Sequence, residues 1–279
     1  MHVTGRTADG IAYEHLDLRG PWESTNGPAP VLLQHGIGLD RRAWAPWVRR
    51  LLAEHPVITV DLRGHGGSTD AWHDHEPTIE AFTGDLLGVL DARGVQRVHL
   101  VGESFGGTVC AALACALGAD RVASLTTCST AWKGGWVANI AGWPELVRQP
   151  GGVEAWSRQL VDARFEREQV PDALHRWVVE VQEHLAPQVV AGVVECLLDI
   201  DLEERAVGVA EVPTLNLVGQ SPFVDPRHAQ HLARFVAHVQ NVFIPDSRHG
   251  IVLSHPETCS SAVIGFLRRH EQRGLTRDH

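Results

Sequence analysis

The sequence lacks a basic excess, a long apolar run, paired cysteines and any internal repeat, and each absence narrows what it can be. Lysine and arginine total 24 against 34 acidic residues, a net charge of −10, and nothing gathers the arginines into a stripe. Nucleic acid and anionic membrane surfaces are both bound through clustered positive charge, so neither is expected as a partner. No segment reaches the roughly 18 uninterrupted apolar residues that span a bilayer, and the opening stretch MHVTGRTADGIAYEHLDLRG has no apolar core for a secretory signal. The expectation is a cytoplasmic protein with no membrane partner. Five cysteines (Cys110, Cys115, Cys128, Cys196, Cys259) form an odd set without a CxxC pair, so neither a disulfide framework nor a zinc site is expected. Most have apolar neighbours and read as small core residues. The histidine cluster WHDHE, Trp72 to Glu76, sits in a polar stretch before a proline and reads as a solvated loop, not as metal ligands at defined spacing. A small-molecule partner remains, and a homo-oligomer is compatible with this composition.

What is present is an alternation of elements. The chain of 279 residues, 44% hydrophobic and 21% charged, can bury one large α/β core with or without an insertion. PVLLQHGIG (30 to 38) and PVITVDLRGHGGS (56 to 68) are apolar runs bounded by Pro and Gly, the pattern of strands buried on both faces. Between them Trp44, Trp47, Val48, Leu51 and Leu52 recur at helical spacing. The helix TIEAFTGDLLGVLDARG, the strand VQRVHLVG, a helix dense in small residues and the strand RVASLTTCST follow. Strand alternating with helix at this spacing predicts a mostly parallel central sheet with helices on both faces. From Ala131 to Val209 the alternation lapses into tryptophan-rich helical segments without a convincing strand. The sheet resumes with VPTLNLVG, a helix PRHAQHLARFVAH, the strand VQNVFIP and a last helix, after which the final few residues are expected to fray. The domains expected are therefore a core of residues 1–130 and 210–279 and a helical lid of 131–209.

LVGESFGG carries the strongest chemical signal. Gly102, Ser104 and Gly106 form G-x-S-x-G between an expected strand and an expected helix. The glycines admit a tight turn that lifts the serine from the sheet edge at a helix N-terminus, where backbone N–H groups favour negative charge. Ser104 is thus a candidate nucleophile.

Taken in order, QHGIG (34 to 38), DLRGHGGS (61 to 68), GESFGG (102 to 107) and SRHGIVLSHPE (247 to 257) resemble the landmarks of the α/β-hydrolase fold family. The resemblance spans residues 30 to 130 and 210 to 270 and leaves the region of the family's variable helical lid uncovered. It implies His249 as the base that takes the serine proton, and an oxyanion hole from the backbone N–H groups of Ile37 and Phe105. His35 and Gly36 are expected to shape the first turn, and Asp61 and Arg63 to serve structure. Serine at the elbow sets the chain apart from the family's dehalogenases and epoxide hydrolases, which use a carboxylate there. No metal or organic cofactor is implied.

The family's acid most often stands in a pattern G-x-x-D-x-x-x-P, whose ends match Gly219 and Pro226, but Pro222 occupies the acid's position. Asp225 is the leading substitute, although an Asp directly before a Pro is also what a helix start prefers. Asp246, a lid carboxylate such as Asp199 or Glu195, and a Ser–His dyad are the alternatives, Ser129 and Thr130 having taken the family's other acid position. Trp132, Trp136 and Phe223 are the expected pocket residues, lining a site for a modest apolar or aromatic molecule. The expected activity is acyl-enzyme hydrolysis of an ester or lactone. The same residues also suit a C–C hydrolase or a cofactor-free oxygenase or lyase, and the fold also hosts non-catalytic binding proteins.

Overall fold

A computed structural model describes residues 1–20, 27–72, 77–225 and 227–275 of the chain, with side chains through 271. Residues 73–76 of the histidine cluster, Pro226 and the final residues 276–279 lie outside the described residues.

Eight strands form one sheet: β1 (His2–Arg6), β2 (Ala12–Leu16), β3 (Val31–Gln34), β4 (Val57–Val60), β5 (Val98–Glu103), β6 (Val122–Cys128), β7 (Thr214–Val218) and β8 (Val239–Phe243). Their order is β1-β2-β4-β3-β5-β6-β7-β8. The β1–β2 and β2–β4 pairs are antiparallel and all the others parallel. β3, β4 and β5 are buried along their whole length, as continuous apolar runs between two helix layers should be. Alternate residues feed opposite layers: Leu32 and Leu100 join one apolar cluster, Val31, Leu33 and Val101 the other. The first two strands were not among the sequence expectations. β1 alternates exposed and half-buried residues at the sheet edge and so carries no buried apolar run.

The helices of the first half are α1 (Ala45–Leu51), α2 (Ile79–Ala92) and α3 (Phe105–Arg121). Thr78 caps α2 by accepting the Ala81 N–H through its side chain. Between β6 and β7 lie α4 (Trp143–Val147), α5 (Gly152–Arg164), α6 (Asp172–Glu183) and α7 (Pro187–Asp199), with no strand of the sheet among them. The two ends of this insertion are tied together, the Gly134 N–H donating to the Ile200 carbonyl at 2.7 Å beside a bridge between Lys133 and Asp201. α4 packs on α5 and α7, and α5 on α6.

After β7 the expected helix is short, α8 (His228–Leu232). Its apolar period continues through Phe235 as tighter turns, in which Arg234 N–H reaches the His231 carbonyl and Phe235 N–H that of Leu232. α9 (Ile251–Ser254) and α10 (Pro256–Leu275) end the described chain. None of the described helices is long and apolar enough to cross a membrane.

Candidate active site

The loops at the C-terminal ends of the parallel strands converge on Ser104. It stands between the end of β5 and the first turn of α3 with φ of 53° and ψ of −125°, a strained conformation for a residue with a side chain. Its neighbours permit the turn: a Cβ on Gly106 would come within 2.3 Å of the His35 carbonyl oxygen, so only glycine allows the helix this close to the turn after β3. The Ser104 N–H is held by the Cys128 carbonyl at 2.9 Å.

His249 follows β8. Its Nε2 lies 2.9 Å from Ser104 Oγ, as the sequence expectation requires. The ring packs edge-on against Phe223 with centroids 5.0 Å apart. Burial first, and the Arg164 guanidinium second, push the His249 imidazole down to about 3, so it is neutral at physiological pH and its Nε2 can accept a proton.

The other ring nitrogen overturns the expected assignment. His249 Nδ1 is 2.8 Å from Ser221 Oγ, and no carboxylate among the described residues meets it. A Cβ on Gly219 would approach the Arg248 carbonyl to 2.3 Å, so this glycine brings the loop after β7 against the histidine loop. Ser221 Oγ also receives the Phe223 and Val224 N–H groups at 3.1 and 3.2 Å.

Asp225 is turned the other way. Its carboxylate accepts from the Arg227 N–H and from Arg227 Nε, both at 2.8 Å, which holds it down to about 2 on the protein surface. It closes a turn just ahead of α8, whose N-cap is Arg227 and carries no side-chain cap bond, so Asp225 is not the helix cap that the sequence suggested either. The further alternatives are no closer to use: Asp246 is exposed, Glu195 pairs with Arg148, and Asp199 is exposed at the end of α7.

The turn after β3 is clamped from two directions. Gly36 N–H donates to Glu103 Oε2 at 3.0 Å, and Arg164, the last residue of α5, donates to the Ile37 carbonyl and, at 2.9 Å, to Glu103 Oε1. Glu103 and Arg164 are both fully buried. Burial raises the Glu103 carboxyl above its ordinary value despite the guanidinium beside it. Among the described residues the N–H groups of Ile37 and Phe105 donate no backbone hydrogen bond, which leaves both free for a ligand oxygen. The same α5 terminus holds the histidine loop, the His249 N–H reaching the Ala163 carbonyl at 3.1 Å and the Gly250 N–H that of Arg164 at 2.7 Å.

His35 is fully buried and fixed as a neutral ring, its Nδ1–H on the Gly36 carbonyl at 2.8 Å and its Nε2 accepting from the Leu62 N–H at 2.9 Å. Asp61 receives the Arg41 and Gly67 N–H groups, and Arg63 pairs with buried Asp85, so both keep to structural work.

Above Ser104 and His249 lies a pocket of about 450 Å³, its open mouth included. Ile37, Ile140, Trp143, Leu160, Val194 and Phe223 form much of its wall, and none of the described Lys, Arg, Asp or Glu side chains lines it. Of the expected pocket residues only Phe223 is there. Trp132 packs on Phe235, and Trp136 against His228, His231 and Phe235, on the α8 side of the insertion. Trp143 is the tryptophan that reaches the pocket. Ser129, with φ of 48°, also lines it, and its buried Oγ has no hydrogen-bond partner among the described residues.

Strand order, elbow and helical insertion together define a class, and residues 29–256 match the family model of the α/β hydrolase fold. The chain belongs to that family. It is 27% identical to a Caulobacter segnis protein provisionally named carbamate hydrolase RutD, covering 95% of this chain and 99% of that one. It is 26% identical to 3-oxoadipate enol-lactonase 1 of Acinetobacter baylyi, over 91% and 92% of the two chains. Among solved structures, the enol-lactonase of Burkholderia xenovorans LB400 superposes with a TM-score of 0.80 at 25% identity, covering 95% of this chain and all of that one. The relatives are thus hydrolases named for lactone and carbamate substrates.

Ser221, Glu103 and Arg164 are the residues that sequence reasoning missed. Glu103 could have been suspected from its place inside the elbow motif. Arg164 lies 61 residues away in the insertion, and no local signal links the two.

Proposed function

We propose that this chain is a serine hydrolase that cleaves an ester-type bond, in an ester, lactone or carbamate, of a small and uncharged molecule. The observation that carries this reading is the 2.9 Å contact between Ser104 Oγ and the Nε2 of a histidine kept neutral by burial. Ser104 attacks the carbonyl carbon as His249 takes its proton, the Ile37 and Phe105 N–H groups receive the oxyanion, and His249 returns the proton to the leaving group. The acyl-enzyme is then opened by water through the same histidine. The absence of Lys, Arg, Asp and Glu side chains among the described residues of the pocket wall favours a neutral substrate, since a carboxylate there would be desolvated without a counter-ion. Phosphonate labelling tests the reading: the folded protein should lose activity as Ser104 is modified, while Ser104→Ala takes up no label. Failure of the folded chain to react would sink it, as would faster turnover of carboxylate-bearing esters than of their neutral counterparts for the substrate class.

Ser221 takes the place of the carboxylate in this scheme. For Nε2 to accept the Ser104 proton, Nδ1 must carry its own and donate it to Ser221 Oγ, leaving the Phe223 and Val224 N–H groups to share the second lone pair. A hydroxyl fixes the tautomer but supplies no negative charge to the imidazolium. Ser221→Ala should therefore lower kcat by roughly 10- to 100-fold, the effect of one buried hydrogen bond, with KM little changed. Ser221→Asp should raise the His249 titration from about 3 toward neutrality, so that activity falls between about pH 7.5 and 6, above the range in which acid unfolds the parent. An alanine variant with unchanged kcat would remove Ser221 from the mechanism.

A further inference from the structure

At the opposite end of the sheet, three residues distant in sequence bring metal-binding atoms together. His55 lies in the turn before β4, His99 is the second residue of β5, and Glu271 is near the end of the described part of α10. One atom from each lies within 4.8 Å of the others. His99 begins the strand that ends next to Ser104, so five residues at about 3.3 Å each put the cluster some 16 Å from the nucleophile.

The spacing fits poorly to ordinary hydrogen bonding. Glu271 Oε1 is 3.6 Å from His99 Nε2 and 3.7 Å from His55 Nδ1, too far for either to be a good hydrogen bond. His99 Nε2 is buried without a hydrogen-bond partner among the described residues, while Nδ1 of the same ring is engaged with Ser124 Oγ at 2.8 Å. That division leaves one nitrogen fixed by a second contact and the other bare and facing a carboxylate, the arrangement ligating histidines adopt. Zinc bonds of about 2.0–2.1 Å in tetrahedral geometry separate neighbouring ligand atoms by about 3.3 Å, a few tenths of an ångström less than the two distances to Glu271. Glu271 has a third of its side chain exposed, at 34%, which opens the fourth position to water.

We propose that His55, His99 and Glu271 form a binding site for one divalent ion of the zinc class, which ties the turn before β4, the start of β5 and the end of α10 together. Two imidazoles and a carboxylate suit zinc and its later first-row neighbours and not magnesium, which prefers oxygen ligands. In the metal-free chain His55 Nδ1 donates to the Ala29 carbonyl at 3.1 Å, so coordination through this atom gives up that contact and moves the ring proton to Nε2. The spacing of the three residues along the chain hides the site from any motif search. The inference is independent of the role of Ser104.

Calorimetric titration of the full chain, freed of metal with a chelator, decides the matter with zinc chloride as the probe. One zinc per chain, no heat with magnesium chloride, a rise in Tm with zinc, and cobalt(II) absorption of four-coordinate type are the expected results. Glu271→Gln and His99→Ala should each weaken zinc binding by about tenfold or more. Should His99→Ala fail to fold, Glu271→Gln at its partly exposed position carries the test alone. Zinc that binds with undiminished affinity to Glu271→Gln, that binds without saturating at one per chain, or that does not bind at all, overturns the proposal.

Discussion

Arg164→Ala should lower the free energy of unfolding by about 3–5 kcal/mol, the usual effect of removing one partner from a buried ion pair. The residue left behind explains the size. Glu103 is fully buried, and without the guanidinium its carboxylate keeps only the Gly36 N–H, so it must either hold an unpaired charge or take up a proton. The Ile37 carbonyl loses its donor in the same step. Activity should fall along with stability, because the turn that presents the Ile37 N–H is no longer fixed to α5. Urea denaturation measures the first effect, and kcat of the fraction that remains folded measures the second. Replacing both members, as in Glu103→Gln with Arg164→Met, should destabilise less than Arg164→Ala alone, since no charge is stranded. A loss below about 1 kcal/mol in Arg164→Ala would show that the pair is already relieved by solvent.

Mild acid should unfold the protein well before its carboxylates titrate. His35, His65 and His249 are fully buried and lowered to about 4, 3 and 3, with burial the largest cause for each. Their hydrogen bonds supply the mechanism: His35 Nε2 accepts the Leu62 N–H, and His65 Nε2 accepts the Gly38 N–H at 3.2 Å. A protonated ring would point a second N–H at each of these donors. Because the unfolded chain binds these protons near pH 6.5 and the folded chain does not, the stabilisation is complete above 6.5 and is lost as pH falls toward 3–4. At pH 5 each histidine should contribute a loss of about 2 kcal/mol, or about 6 kcal/mol for the three. His15, His99 and His228 are lowered in the same direction and add to the effect. Urea midpoints at pH 7.5, 6 and 5 give the measurement, in a window above the carboxylates. A midpoint that does not move between 7.5 and 5 would mean that these rings are already charged, or that water reaches them.

The parts of the molecule readable from the sequence are those in which a local pattern coincides with a local cause. The apolar runs of β3, β4 and β5 are buried on both faces, and G-x-S-x-G produces its turn from residues adjacent to Ser104. β1 escaped because an edge strand needs no apolar run, and β2, although it pairs with β4 inside the sheet, spells AYEHL with a glutamate and a histidine among its five residues. Trp132 and Trp136 were expected in the pocket because composition says that an insertion is aromatic, whereas only packing says which side of it each ring faces. Ser221 was hidden for a different reason. The family pattern directs attention to position 222, and one serine in a polar loop has nothing to distinguish it until His249 Nδ1 is found 2.8 Å away.

The attachment of α5 bears on how this protein could diversify. Insertions on this fold are often regarded as exchangeable caps, altered to change specificity while the catalytic body stays constant. Here the last turn of α5, midway along the insertion, reaches into the body, with Ala163 and Arg164 holding the histidine loop by their carbonyls and Arg164 also holding the elbow. An insertion with no arginine at the position of Arg164 would bring new walls to the pocket but would leave Glu103 without its cation. Variation can proceed freely at Trp143, Leu160 and Val194 along the pocket wall, while the junction at 163–164 has to be inherited together with residue 103.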